Sequence, residues 1–285
     1  MKYKRLGRTG LYVSELCLGT MTLGDNADAG MWKAMGAVGQ GEANRLIERA
    51  LAAGINFIDT ADIYAFGESE RIIGQALKDL GAPRNEIVLA TKTGGVMGPT
   101  PNDQGASRGH IMDSVQQSLE RLQVDHIDLY QIHASDPITP IDETLRALDD
   151  LTRQGLVRYV GVSNWRAGKI GKALGLSAAQ NTPRFETLQA YYSIAGRDAE
   201  RELVPSSRRS RWGCWFGRLW RAVCSPANSA PARRATPAPD VNTSTFPLSI
   251  TSGHGRASPR CGPWPKRVVF RSHASRWLGY SPSRT

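Results

Sequence analysis

The chain has 285 residues, enough for one large buried core, and a net charge of +10. No apolar run of about 18 residues occurs and no apolar stretch follows the charged start, which excludes a predicted membrane span or secretory signal. The expectation is a soluble, cytosolic protein.

The charge is not uniform. Residues 1–205 hold 22 Lys and Arg against 25 Asp and Glu, whereas residues 206–285 hold 14 against the single Asp240. The later segment has 13 Arg and one Lys, and it carries Cys214, Cys224 and Cys261. Cys17 alone precedes them, so no disulfide framework is present in the first part.

In chain order, Lys4–Val13 reads as a small hairpin turning at Arg8-Thr9-Gly10. Short apolar runs follow at 16–18, 55–58, 87–90, 127–132, 157–162 and 187–191. Helical patterns alternate with them at 41–53, 68–80, 107–122, 140–154, 166–175 and 198–204. Apolar runs bounded by turns and separated by helices predict parallel strands covered on both faces. Glu42 and Asp142-Glu143 fall in first helical turns, and Gly54, Gly81 and Gly155 fall just past helix ends. The count is six βα units, where a closed barrel of this class has eight.

The runs end in polar residues: Asp59, Lys92, His133 and Ser163-Asn164, with Tyr64 in the loop after Asp59. In a parallel barrel these ends share one mouth, where active sites are built. Each has an ordinary reading. A lone Lys after a strand is usually solvated, a lone His is usually a satisfied core residue, and Asp is a common helix cap. Tyr64 could simply pack, and Ser163-Asn164 could be plain turn chemistry. Their coincidence at several strand ends favours a site. A phenol with pKa near 10 is a weak acid at neutral pH. An adjacent ammonium (Lys92) favours its phenolate, and a carboxylate (Asp59) keeps the ammonium charged. His133 would hydrogen-bond a carbonyl oxygen. This set suits carbonyl reduction, with Tyr64 giving the proton.

The run Gly54–Tyr64, followed by Gly67-Glu68-Ser69-Glu70 and Gly74, resembles the aldo-keto reductase signature. Thr91-Lys92, Asp128–His133, Gly161–Trp165 and Leu18–Met21 match that family's motifs in the same order. The resemblance implies a (β/α)8 TIM barrel that reduces aldehydes or ketones with NADP(H). It implies Asp59, Tyr64, Lys92 and His133 as the catalytic tetrad. Ser163, Asn164 and Gln189 match positions holding the nicotinamide carboxamide, and Gly19-Thr20-Met21 match a loop near the ring. A non-catalytic nucleotide-sensing subunit, as in the channel-associated β subunits of this fold, is the alternative. Gly94-Gly95 forms no dinucleotide fingerprint, so a Rossmann domain has no support.

The resemblance stops near Pro205. The seventh and eighth strands that the family expects do not follow as written. Abundant Arg, Ser, Pro and Trp without Glu is what a GC-rich gene yields out of frame. Shifted codons chosen across Arg211–Ser229 can spell V-G-L-L-V-W-S-P-L-A-G-G-L-L-S-G-K-F, a strand and loop of the expected kind. Residues 206–285 are therefore read as a frameshifted tail without a native fold. A basic nucleic-acid or membrane binder is the weaker alternative. The cysteines there, with His254 and His273, lack metal-ligand spacing. An incomplete barrel leaves open strand edges, which predicts low stability and weak cofactor binding.

Overall fold

The computed structural model describes residues 1–24, 38–193 and 196–217. An antiparallel hairpin, β1 (Tyr3–Arg5) and β2 (Tyr12–Ser14), comes first, where the sequence predicts one. The Thr9 hydroxyl closes its turn by donating to the Leu6 carbonyl at 2.6 Å. Leu6 and Val13 are fully buried beneath the strands that follow.

Seven parallel strands then run in sequence order: β3 (Leu18–Gly19), β4 (Phe57–Asp59), β5 (Val88–Thr93), β6 (Ile127–Ile132), β7 (Val157–Ser163), β8 (Phe185–Tyr191) and β9 (Gly213–Gly217). A helix follows each of the first six: α1 (Gln40–Ala52), α2 (Glu68–Asp79), α3 (Arg108–Leu122), α4 (Ile141–Arg153), α5 (Ala167–Gln180) and α6 (Leu203–Ser210). The six βα units read from the sequence are thus present, and a seventh strand is added to them.

Side chains alternate across the strands with period two. On β5, Leu89 joins the large apolar layer shared with the helices. Its neighbours Val88 and Ala90 join a smaller inner cluster with Leu6, Val13, Phe57, Leu129 and Trp215. The Phe57 and Trp215 rings lie 4.9 Å apart. They belong to β4 and β9, five places apart in the strand order, so the sheet curls back around this inner cluster. The architecture is a nearly closed (β/α) barrel.

Two boundaries differ from the sequence reading. Residues 198–200 make only one 3-10 turn, and α6 extends past Pro205 to Ser210. Pro205 is the third residue of α6. A proline in the first helical turn lacks an N–H that had no helical partner anyway, so it opens this helix and does not stop the chain. Regular structure then continues to Gly217, with Trp212, Cys214 and Trp215 buried. The remainder of the predicted tail, 218–285, lies outside the described residues, as do Cys224, Cys261, His254 and His273. The expected C′ glycines Gly54, Gly81 and Gly155 all adopt positive φ.

Candidate active site

The inward positions at the C-terminal strand ends carry the site. Alternation along β5 turns Lys92 to the same side as Val88 and Ala90, and alternation along β4 turns Asp59 to the side of Phe57. Neither is left to water: Lys92 is 0% and Asp59 4% exposed.

The Lys92 ammonium makes three contacts. It donates to Asp59 Oδ2 at 2.8 Å, to the Thr60 carbonyl at 2.7 Å and to the Tyr64 hydroxyl at 3.2 Å. Tyr64 opens a tight turn after β4 and is itself buried. His133 follows β6 directly, anchored by its N–H to the Thr93 carbonyl at 2.8 Å. Its ring meets the Tyr64 ring edge-on, with centroids 5.7 Å apart and planes at 81°. The four residues singled out by the sequence therefore converge.

Electrostatics fix the charges of the pair. Burial alone pulls the Lys92 ammonium down, but Asp59 and Tyr64 outweigh it and raise its pKa to about 12. Burial pushes the Asp59 carboxyl up, against Lys92 and the side-chain amides of Gln189 and Gln131. Gln189 Nε2 donates to Asp59 Oδ2 at 2.9 Å and Gln131 Nε2 to Oδ1 at 3.4 Å. The ammonium and two amides converge on one carboxylate, so we read an ion pair at neutral pH.

The expected cofactor residues lie beside the pair. Ser163 ends β7, and its hydroxyl donates to Gln189 Oε1 at 3.4 Å. Asn164 sits in the left-handed region at φ 58°, its amide donating to the His133 carbonyl at 3.2 Å and to Ser163 Oγ at 3.0 Å. Gly19 pairs with Asp59, and Thr20 donates from both N–H and hydroxyl to the Asp59 carbonyl. Met21 follows in the same loop, half-buried.

Several contributors escaped the sequence reading as individual residues. Gln131 faces inward between Lys92 and Gly161 in the strand register. The Ser69 hydroxyl donates to the Thr20 carbonyl at 2.9 Å, tying the β3 loop to the start of α2. Cys17 lies close enough to Asp59 and Lys92 to feel both charges, though burial is the main force raising its thiol pKa. The available signal was period-two alternation: Gln131 lies two residues from Leu129 on the same face.

The aldo/keto reductase family profile matches residues 15–210. The chain belongs to this family. It is 40% identical to "Uncharacterized oxidoreductase YrpG" of Bacillus subtilis, over 82% of this chain and 73% of that protein. It is 40% identical to "Probable voltage-gated potassium channel subunit beta" of Oryza sativa, over 72% of this chain and 60% of that protein. It is 36% identical to "Versiconal hemiacetal acetate reductase" of Aspergillus parasiticus, over 72% of this chain and 63% of that protein. The chain thus spans about 60% of the length of two of these three curated relatives.

A nicotinamide carboxamide needs both donors and acceptors around it. A hydroxyl and two side-chain amides, Ser163, Asn164 and Gln189, stand together at the mouth with both capacities. The residues present fit that group. No described helix is long and apolar enough to cross a membrane.

Proposed function

We propose that this chain is an NADP(H)-dependent reductase of aldehydes or ketones. The carrying observation is the Tyr64 hydroxyl 3.2 Å from an ammonium that is itself paired to Asp59 at 2.8 Å. The choice of NADP over NAD rests on the family resemblance. Ser163, Asn164 and Gln189 would hold the carboxamide of the cofactor, with Gly19, Thr20 and Met21 beside its ring. A reduced nicotinamide bound there supplies the hydride.

The chain's own residues do the rest. His133 orients the substrate by donating to its carbonyl oxygen. Tyr64 gives that oxygen its proton as charge develops on it. The Lys92 ammonium stabilises the phenolate that remains, worth about 10²–10⁴-fold in rate for a well-placed acid. Asp59, with Gln189 and Gln131, holds Lys92 in place and compensates its buried charge.

Steady-state NADPH oxidation with an aromatic aldehyde, compared between the native chain and Tyr64→Phe, tests this reading. A large loss in Tyr64→Phe supports it, and equal rates remove the mechanism. The likeness to channel β subunits raises one second reading without favouring it, a nucleotide sensor without turnover. That reading predicts saturable NADPH binding with no aldehyde-dependent oxidation.

We also propose that the Arg-rich segment 206–285 is read out of frame, on its composition and the shifted-frame match. The nucleotide sequence around codons 203–207, aligned with related genes, would show a lost or gained base, and an alignment without one would refute it.

A further inference from the structure

A second buried acid lies on the helix side of the same strands. Asp62 is 0% exposed, three residues after Asp59 and two before Tyr64. Its N–H donates to the Lys92 carbonyl at 3.0 Å, and its Oδ1 accepts from the Ile63 N–H at 2.6 Å. Its Oδ2, Thr93 Oγ1 and Tyr130 OH have no hydrogen-bond partner among the described residues other than one another. The latter two come from β5 and β6, and the Thr93 hydroxyl lies beside both Asp62 and Tyr130. Three buried oxygens with no partner outside their own group therefore share one place.

The charges around them do not balance. Glu70 faces Asp62 from α2 and Arg121 faces it from α3. Arg121 Nε is bonded to Glu70 Oε2 at 2.7 Å, and Glu70 Oε1 accepts from Thr91 at 2.6 Å. Lys92 is on the opposite face of β5, bonded to Asp59. Two acids thus share one guanidinium, and Glu70 holds it. An ionised Asp62 would be a buried charge without a counter-ion, which proteins avoid by neutralising the group. Burial, then Glu70, pushes its carboxyl up to about 8, against the Ile63 N–H, Thr93 and Arg121.

We infer that Asp62 is a protonated positioning residue, whose carboxyl donates its one proton from Oδ2 to the Thr93 hydroxyl, which passes a donor on to the Tyr130 hydroxyl, and so holds Tyr64 against Lys92. The backbone beyond Tyr64 is itself strained. Ala65 and Phe66 sit at φ 47° and 53°, in the left-handed region that non-glycine residues rarely adopt. The tie on the Asp62 side sets where the Tyr64 ring starts. The significance of that placement rests on the proposed role of Tyr64, but the placement itself can be tested without catalysis.

Urea unfolding of the full chain between pH 5 and 9 tests protonation. A fold that keeps a proton its unfolded chain has lost becomes less stable as pH rises from the ordinary carboxylate range to about 8, then levels off. One such proton is a tenfold change in the folding constant per pH unit. Asp62→Asn, which mimics the neutral acid, should lose that extra tenfold dependence between pH 5 and 7. Equal slopes in the two proteins would overturn the protonated state. Positioning is read from the ultraviolet titration of Tyr64, isolated by subtracting the Tyr64→Phe spectrum. Thr93→Val and Asp62→Leu should shift it and Asp62→Asn should leave it in place. An unmoved titration in Thr93→Val refutes the tie even if Asp62→Leu does not fold. Absent aldehyde reduction would count against the proposed function and leave both results standing.

Discussion

Asp59 and Asp62 are three residues apart and equally removed from water, yet their neighbours treat them in opposite ways. Asp59 faces the barrel interior, where an ammonium and two side-chain amides converge on its oxygens. Asp62 faces the helix layer, where the only nearby guanidinium among the described residues is bonded to Glu70. Burial raises the pKa of both. The inner acid has enough donors to carry charge, and the outer one has not. Burial by itself does not set an ionisation state; the count of unspent donors does.

The sharpest way to break this comparison is to remove the inner cation. Lys92→Met should cost about 3–5 kcal/mol of stability, because Asp59 is left buried with amides alone. Aldehyde reduction should fall about 10²–10⁴-fold in the same variant. Adding Asp59→Asn should restore most of the stability and none of the activity, as read by urea unfolding and NADPH oxidation.

The outer cluster gives the next effect. Arg121→Met leaves Glu70 as a second unpaired acid and should also cost about 3 kcal/mol, largely recovered by adding Glu70→Gln. An undiminished unfolding midpoint would show that Arg121 is not the counter-ion the outer acids share.

The pH behaviour of the two sites should also separate. The raised Lys92 value means its contribution is whole below the ordinary lysine value and is lost as pH rises through about 12. The Asp62 contribution changes below about 8 and not above it. In Asp62→Asn, unfolding followed from pH 7 to 9 should therefore show little slope from this sector.

Smaller effects test the frame that holds both acids. At Gly74 of α2, an added Cβ would come within 2.6 Å of the Arg121 carbonyl oxygen. Gly74→Ala should force α2 and α3 apart at a cost of about 1–3 kcal/mol in urea unfolding. Ser107 caps α3 by accepting from the His110 N–H at 3.4 Å, a long bond. Ser107→Ala should cost about 0.5 kcal/mol, the low end for a cap.

Much of this arrangement was readable in the chain itself. The apolar runs ending at Lys92 and His133 announced their strands, and the runs around Asp59 and Ser163 announced theirs. The glycines after α1, α2 and α4 marked the helix ends. Helix α6 was read as 198–204 because the family pattern ends near Pro205, whereas a proline in the first turn is compatible with the helix that runs on to Ser210. Strand β9 lies in a stretch whose composition resembles no strand repeat, and it is held by pairing with β8 and by Trp215 against Phe57. Alternation could place Gln131 on the inner face but could not name its partner 72 residues away, and Arg121 gave no local signal, since its partner lies 51 residues away.

By itself the sequence determined the alternation of strand and helix, the family, and which polar residues stand at the strand ends, because periodicity and motif spacing are local properties. The tertiary structure alone decided which acid meets a free cation and which must keep its proton. Charge balance in a buried place depends on every element packed around it, and no stretch of chain carries that sum.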